Sequence, residues 1–158
     1  MATQIILEDG LKAINDFKKA QITPALNRVI ESTILLSGVG FESCHLAGPH
    51  ALHNGLVELE ATKNCLHGEL VAFGILVALM LNNEEHTSVA NDIYDFYSKT
   101  NLPMTLKDIG ISKNIEENLK DIVSFVCTEN SFIYNEPVDI TEKILFEAIL
   151  KTDQLVTN

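Results

Sequence analysis

Positive charge is scarce in this sequence. It contains 11 lysine and arginine residues against 22 aspartate and glutamate residues, which gives a formal net charge of −11 at pH 7. Basic residues form no run anywhere along the chain. Because nucleic acids and anionic membrane surfaces attract clustered positive charge, this composition argues against both kinds of binding protein. We therefore predict neither a nucleic-acid partner nor a membrane partner.

Cysteine is also rare. Cys44, Cys65 and Cys127 form neither an even set nor a CxxC pair, which argues against a disulfide framework and favours a reducing compartment. The first residues, MATQIILEDGLKAINDF, carry acids where a secretory signal has basic residues followed by an unbroken apolar segment. We predict a cytoplasmic protein.

Long hydrophobic runs are missing as well. The most apolar stretch, LVAFGILVALML, covers 12 residues from Leu70 to Leu81, whereas a membrane-spanning helix needs about 20. This stretch therefore predicts a buried helix. The chain has 158 residues, 46% of them hydrophobic and 21% charged, which is typical of a globular protein with one continuous core. We predict a single domain over residues 1–158.

Apolar residues recur at helical spacing from end to end, while long strand-like alternation does not occur. The pattern predicts an all-α, compact multi-helix domain. Helices are predicted over residues 3–20, 23–37, 49–59, 67–81, 88–99, 115–127 and 141–156. The apolar stripe of the first helix is predicted to contain Ile5, Ile6, Ala13 and Phe17.

Local signals mark several helix ends. Thr23 is a good N-cap, and Pro24 suits the first helical position. Gly38 follows the last apolar residues of that helix and predicts where it ends. For the last helix, Asp139 with Glu142 three residues later predicts a capping box.

Three of the five histidines lie in one short segment, GPHALHNGLVELEATKNCLHGELVAFG. His50 and His53 can share one face of a helix, and His67 follows at a distance that allows a second helix to begin beside the first. Two imidazoles and a carboxylate make a catalytic zinc set with one position open for substrate. Histidines at helix ends also act as simple caps, so the spacing by itself leaves both interpretations open.

The sequence motifs around these histidines are more specific than the histidine spacing. LLSGVGFES, HALHNGL and HGELVAFG occur in this order, and LPMTLKDIGI follows. This sequence closely resembles the C-terminal domain of the glycerol dehydrogenases, in the metal-dependent, iron-containing alcohol dehydrogenase superfamily, over essentially the entire chain. The resemblance implies the fold of the C-terminal half of dehydroquinate synthase-like enzymes, in agreement with the all-α prediction.

The resemblance also implies roles for individual residues. His50 and His67 match the histidines that bind the catalytic zinc, for which iron is the alternative. His53 is a candidate for orienting the substrate or relaying its proton, and Phe41 matches a residue that lines the glycerol pocket. Cys44-His45 replaces a usual Gly-Gly pair, and Gly48-Pro49 replaces small alanine-like residues just before the first metal histidine.

Two parts of such an enzyme are not found in this sequence. There is no GxGxxG motif, so NAD would be bound only through a separate N-terminal domain. The third metal ligand is an aspartate that, by family spacing, would precede Met1. Asp9 and Asp16 do not sit in that motif and are predicted to lie on a solvated helix face. We expect half of a split enzyme or a remnant of one.

Two functions are therefore predicted. The first is the C-terminal part of a glycerol dehydrogenase-like oxidoreductase, which contributes two zinc ligands and pocket residues to NAD-dependent oxidation of glycerol or a related small polyol. This chain would need a separate NAD-binding chain as a partner and would not be catalytically competent alone. The alternative is a non-catalytic helical module that binds metal weakly or associates through exposed apolar surface, as a homo-oligomer or with other proteins, or an inactive remnant.

Overall fold

A computed structural model describes residues 1–157 of the chain. These residues contain no β-strand, so the predicted all-α class is confirmed. The α-helices are α1 (Ala2–Lys18), α2 (Pro24–Glu31), α3 (Ser37–Cys44), α4 (Gly48–Leu56), α5 (His67–Leu81), α6 (Ser88–Thr100), α7 (Ile115–Val126) and α8 (Glu142–Thr157). A π-helical segment covers Ser32–Leu36, and short 3-10 segments cover Glu60–Thr62 and Phe132–Asn135.

The chain divides into two compact units. Unit 1 comprises Met1–His45 and Asp92–Thr100, and unit 2 comprises Leu46–Asn91 and Asn101–Asn158. In unit 1, α1 packs against α2. In unit 2, α4 contacts α5 and α7, and α8 contacts α5 and α7. The residues of α6 are divided between the two units. The single domain over residues 1–158 stays a prediction.

Two acids of α1 are buried in unit 1, so the prediction that they lie on a solvated helix face is wrong. Asp9 accepts hydrogen bonds from Nε and Nη2 of Arg28 at 2.5 and 2.6 Å. Asp16 accepts from Nζ of Lys12 at 2.7 Å and from Oγ1 of Thr23 at 2.5 Å. Both carboxylates are less than a tenth exposed. Burial of these acids is tolerated because each is paired with a cation and hydrogen-bonded.

The same hydrogen bonds determine how these acids titrate. The bond from Arg28 lowers the pKa of Asp9 below its ordinary value, and its positive charge adds to the effect. The bond from Lys12, followed by the bond from Thr23, lowers the pKa of Asp16. Both carboxylates therefore favour the ionised form in the folded chain.

The second helical region begins as predicted and continues further than predicted. Thr23 accepts a hydrogen bond from the Leu26 amide at 3.3 Å, and Pro24 is the first helical residue. The helix then runs through the π-helical segment and α3 to Cys44. Gly38 does not end it, because this glycine keeps a helical backbone instead of the left-handed conformation that terminates a helix.

Side chains on α1 and α8 also depart from the sequence pattern. Ala13 is buried as predicted, but Phe17 is 73% exposed, so it does not belong to a buried stripe. At the start of α8, the Ile144 amide donates to Oγ1 of Thr141 at 3.2 Å. Thr141 is therefore the cap, and the predicted box between Asp139 and Glu142 is wrong because the helix begins two residues later than that box requires.

Unit 2 surrounds a continuous aliphatic core. The buried side chains of α5 lie at its centre, which confirms the prediction that this apolar run is a buried helix. No helix within residues 1–157 combines the length and the hydropathy needed to cross a bilayer. Fully buried core residues of unit 2 are Leu52, Leu56, Leu70, Phe73, Leu76, Leu106, Ile109, Ile111, Leu119, Ile122, Ile133 and Leu145.

Two glycines allow α4 to approach its neighbours closely. A Cβ atom on Gly74 of α5 would lie 2.7 Å from the carbonyl oxygen of Pro49, and one on Gly55 of α4 would lie 2.6 Å from Cγ2 of Val126 in α7. Real side-chain atoms do not approach so closely, so both positions require glycine for this packing. The helix that carries His50 and His53 is thereby held between α5 and α7.

Candidate functional site

The three histidines of the predicted site meet in unit 2. His50 and His53 lie on α4, and His67 is the first residue of α5. The ring centroids of His50 and His67 are 5.7 Å apart, and those of His53 and His67 are 4.3 Å apart. His53 and His67 are 14 residues apart in the sequence, and the break between their helices brings their rings together.

A chain of hydrogen bonds links these rings. Nδ1 of His53 lies 3.2 Å from Oδ1 of Asn54, and Nε2 of His53 lies 2.9 Å from Nδ1 of His67. Because an amide oxygen can only accept, neutral His53 carries its proton on Nδ1, and its Nε2 accepts from the Nδ1 proton of His67. Nε2 of His67 is then left with a free lone pair, which is the state a metal ligand needs.

Asn54 is a residue that the sequence interpretation missed. The HALHNGL segment contains it, but helical spacing directs attention to residues three and four apart, and Asn54 acts on its immediate neighbour. The adjacency of His53 and Asn54 in the sequence was the signal that could have indicated this contact. In the structure, Asn54 selects which nitrogen of His53 accepts the hydrogen bond from His67.

The electrostatic surroundings favour neutral imidazole at His50. Partial burial lowers the pKa of His50, and the nearby rings of His67 and His53 lower it further. His53 is also half-buried, whereas His67 is exposed. Since metal ions bind the neutral form of histidine, this lowered pKa keeps His50 available as a ligand over a wider range of pH.

The residues around His67 have local structural roles. The Leu66 amide donates to Oε2 of Glu69 at 2.7 Å, so this carboxylate caps its own helix. Cys65 is half-buried, and burial, followed by the charge of Glu69, raises the pKa of its thiol. A Cβ atom on Gly68 would meet nothing within 4 Å, so no neighbour packs closely against this glycine, whereas Val126 does so at Gly55.

Comparison with known proteins shows which enzymes this chain resembles. The glycerol dehydrogenase of Thermotoga maritima is 39% identical over 151 residues, which cover 96% of this chain and 41% of that enzyme. The glycerol dehydrogenase of Pseudomonas putida is 37% identical over 150 residues, which cover 95% of this chain and 41% of the enzyme. The crystal structure of a probable glycerol dehydrogenase from Sinorhizobium meliloti superimposes with a TM-score of 0.92 at 33% identity, covering 99% of this chain and 44% of that one.

This chain is homologous to the C-terminal domain of the glycerol dehydrogenases. It spans about two fifths of the length of the curated glycerol dehydrogenases that it matches. No protein-family model matches the sequence.

The histidine donors fit a zinc site in kind but not in number. His50 and His67 offer neutral imidazole nitrogens, which suit zinc. Among residues 1–157, no group of three histidine, cysteine, aspartate or glutamate side chains is arranged to hold a metal ion. Because a catalytic zinc needs three protein ligands, the described residues do not complete such a site by themselves.

Phe41, the predicted glycerol-pocket residue, lies on α3 in unit 1 and is 50% exposed. Its ring meets that of His45 edge-on at a centroid distance of 6.3 Å. His45 has φ 58° and ψ −157°, a conformation that belongs almost only to glycine. The backbone at this position therefore keeps the form expected for the Gly-Gly pair that Cys44-His45 replaces. The pocket role of Phe41 stays a prediction.

Proposed function

We propose that this chain forms part of the active site of a glycerol dehydrogenase-like enzyme, in which His50 and His67 are two ligands of a catalytic zinc ion. The observation that carries the proposal is the meeting of the rings of His50 and His67, whose centroids lie 5.7 Å apart. The reaction is NAD-dependent oxidation of glycerol or a related small polyol. The names of the relatives support this class of substrate.

The histidines of the chain have different roles in this proposal: some bind the metal, and His53 acts on the substrate. When bound, zinc supplies a Lewis acid that favours the alkoxide of the alcohol, and NAD accepts the hydride. Partial burial lowers the pKa of His50, which favours its neutral form. Both ring nitrogens of His53 are engaged, one by Asn54 and one by His67, and His53 is the candidate for orienting the substrate or relaying its proton.

The remaining parts of the catalytic site lie outside residues 1–157 in this proposal. The third metal ligand and the dinucleotide site belong to the rest of the dehydrogenase, on the same polypeptide or on a separate NAD-binding chain. Hydride transfer requires both cofactors at one place, so the present chain alone is expected to show no dehydrogenase activity. The cytoplasmic location, inferred from the cysteine pattern, remains part of this proposal; all three cysteines are free.

Zinc binding by the purified chain tests the proposed ligands. His50→Ala and His67→Ala are each expected to weaken zinc binding at least about tenfold, because each removes one of two nitrogen donors. His86→Ala is the matched control, since His86 is an exposed histidine beyond the end of α5 with no ring contact to the other three. Calorimetric titration measures the affinities. Equal affinity in the wild type and both ligand variants would remove the proposal.

Activity requires a second test in the presence of a dinucleotide-binding half. The chain is mixed with a separately produced NAD-binding domain of a related dehydrogenase, and glycerol-dependent formation of NADH is followed by absorbance. Activity in the mixture, lost in His50→Ala and kept in His86→Ala, is the expected result. A series of small polyols in the same assay then defines the substrate.

A second candidate function is association through unit 1. Its helices expose several large apolar side chains, among them Ile34 at 72% and Val39 at 55%. Such surface favours binding to another copy of the chain or to another protein. Sedimentation velocity at several concentrations tests this function, and a monomer at all concentrations counts against it.

A further inference from the structure

Glu136 joins the two helices that carry the histidines. This residue follows the 3-10 segment Phe132–Asn135 and is half-buried in unit 2. Its Oε1 accepts a hydrogen bond from the Gly48 amide at 2.8 Å, and its Oε2 accepts from Nδ2 of Asn82 at 2.9 Å. Gly48 is the first residue of α4 and Asn82 follows the last residue of α5, so one carboxylate connects the start of one helix to the end of the other.

Asn135, the residue before Glu136, binds a backbone carbonyl group just before α4. Nδ2 of Asn135 donates to the carbonyl oxygen of Leu46 at 2.6 Å, two residues before α4 begins. Consecutive residues of a distant segment therefore bind a carbonyl and an amide on either side of Ala47. Together they fix where α4 starts.

The amide groups at the start of α4 explain why the helix needs this carboxylate. Ala47 has no side-chain acceptor, and Pro49 has no amide proton. The amides of His50 and Ala51 both donate to the carbonyl oxygen of Ala47 at 3.1 Å. Gly48 is the remaining donor, and Glu136 accepts from it with a negative charge that the N-terminal end of the helix favours.

The small size of Gly48 is part of the same arrangement. A Cβ atom at this position would lie 2.6 Å from Oε1 of Glu136, closer than atoms in real structures approach. A larger residue at this position would oblige the Glu136 side chain to shift from the helix end.

We propose that Glu136 is a positioning residue for the histidine site, which sets α4 against α5 so that His50 and His67 face one point. His50 lies two residues beyond Gly48, so a displaced helix start moves its ring directly. Glu136 has no role as a metal ligand here, since both of its oxygens are engaged by Gly48 and Asn82. The functional meaning of this positioning rests on the zinc site proposed above.

The first test measures the position of the rings without any metal. Protein labelled at histidine is studied by NMR, and contacts between the rings of His50 and His67 are compared in the wild type, Glu136→Ala and Glu136→Gln. Loss of these contacts in Glu136→Ala, with partial retention in Glu136→Gln, is expected because glutamine keeps one oxygen acceptor for Gly48. Asp139→Asn is the matched control, an exposed acid of the same segment. Unchanged contacts in folded Glu136→Ala overturn the proposal.

The second test separates positioning from general stability. Glu136→Ala is expected to weaken zinc binding by about 10- to 100-fold, the usual loss for residues that orient metal ligands. Ile133→Val reduces a fully buried side chain three residues away and serves as a destabilised control that keeps Glu136. If Ile133→Val weakens zinc binding as much as Glu136→Ala, the positioning role is wrong.

The two tests also distinguish this proposal from the proposed function. A wild-type chain that binds no zinc contradicts the metal site, whereas the NMR contacts still decide whether Glu136 positions the rings. Should Glu136→Ala fail to fold, the decision passes to Glu136→Gln. An intermediate loss of ring contact in that variant supports the role, and ring contacts and zinc affinity equal to those of the wild type overturn it.

Discussion

The two compact units of this chain are stabilised in different ways. Unit 2 buries a continuous set of large aliphatic side chains around Phe73. Unit 1 buries few hydrophobic residues, namely Ala13, Ala25, Ile93 and Tyr97, together with the ion-paired carboxylates of Asp9 and Asp16. Many of its large apolar residues are exposed. The exposed ones include Phe17, Ile22, Ile30, Ile34, Leu35, Val39 and Phe41.

This difference shows where a precise site can form. The histidines lie on helices of unit 2, whose backbones are fixed by close contacts at Gly74 and Gly55 and by the carboxylate of Glu136. Metal ligands must keep their geometry within a fraction of an ångström, which a well-packed core provides. Unit 1 instead offers apolar surface, which suits contact with another molecule better than coordination chemistry.

The largest effect is expected from a cavity in unit 2. Phe73→Ala removes a side chain with no exposure and is expected to lower the free energy of unfolding by about 3–5 kcal/mol. Phe17→Ala, in unit 1, removes a phenylalanine that is 73% exposed and is expected to change it by less than about 0.5 kcal/mol. Urea unfolding followed by circular dichroism measures both. Equal losses would contradict the contrast between the units.

Glycine substitutions in the two units are expected to have opposite signs. Gly74→Ala in α5 places a methyl group 2.7 Å from the carbonyl oxygen of Pro49 and is expected to destabilise the chain by about 1–3 kcal/mol. Gly40→Ala in α3 meets nothing within 4 Å and is expected to stabilise by about 0.5–1 kcal/mol, because alanine favours a helix. Denaturant midpoints of the two variants decide the signs. A stabilising Gly74→Ala would show that α4 and α5 are less closely packed.

Relief of backbone strain at His45 is expected to change the free energy of unfolding by a smaller amount. His45→Gly is expected to stabilise the chain by about 1 kcal/mol, because the backbone at φ 58° and ψ −157° disfavours any side chain. Asn114→Gly is the control in unit 2, where φ 49° and ψ 37° form a left-handed conformation that asparagine tolerates. Thermal melts compare the variants. A loss of stability in His45→Gly would mean that the imidazole makes contacts worth more than the strain.

Acid is expected to lower the free energy of unfolding through the buried carboxylates of unit 1. This effect is expected to be smallest near neutral pH. The pKa values of Asp9 and Asp16 are lowered in the folded chain by their hydrogen bonds to Arg28 and Lys12. The unfolded chain therefore binds protons more readily, so the stability due to these groups is present above about pH 4 and is lost as the pH falls through the lowered values. Asp9→Asn removes part of this dependence.

Unfolding by urea from pH 7 to pH 3 measures this effect. The difference in stability between the wild type and Asp9→Asn is expected to shrink as the pH falls, since protonation removes the charge that the substitution removes. A difference that stays constant over the whole range would show that the contribution of Asp9 does not depend on its charge.

Most of the helices follow from signals within a few residues. Thr23 and Pro24 mark the start of α2, and the apolar run to Leu81 marks α5, because capping and periodicity depend on near neighbours. The helix end predicted at Gly38 is wrong, because such a glycine ends a helix where its backbone becomes left-handed and Gly38 stays helical.

The site was predictable in its residues and not in its connections. The order of the motifs identified His50, His53 and His67, and the structure places their rings together. Neither periodicity nor resemblance pointed to Glu136, since nothing near it in the chain suggests a contact with Gly48.

The sequence by itself determined the helical class, the helices that carry the histidines and the relationship to the glycerol dehydrogenases. Only the tertiary structure decided which acids are buried, which atoms satisfy the start of α4 and which nitrogen of His67 is left free. The reason is distance along the chain. Arg28 reaches Asp9 across 19 positions and Glu136 reaches Gly48 across 88, and such partners become neighbours only when the chain folds.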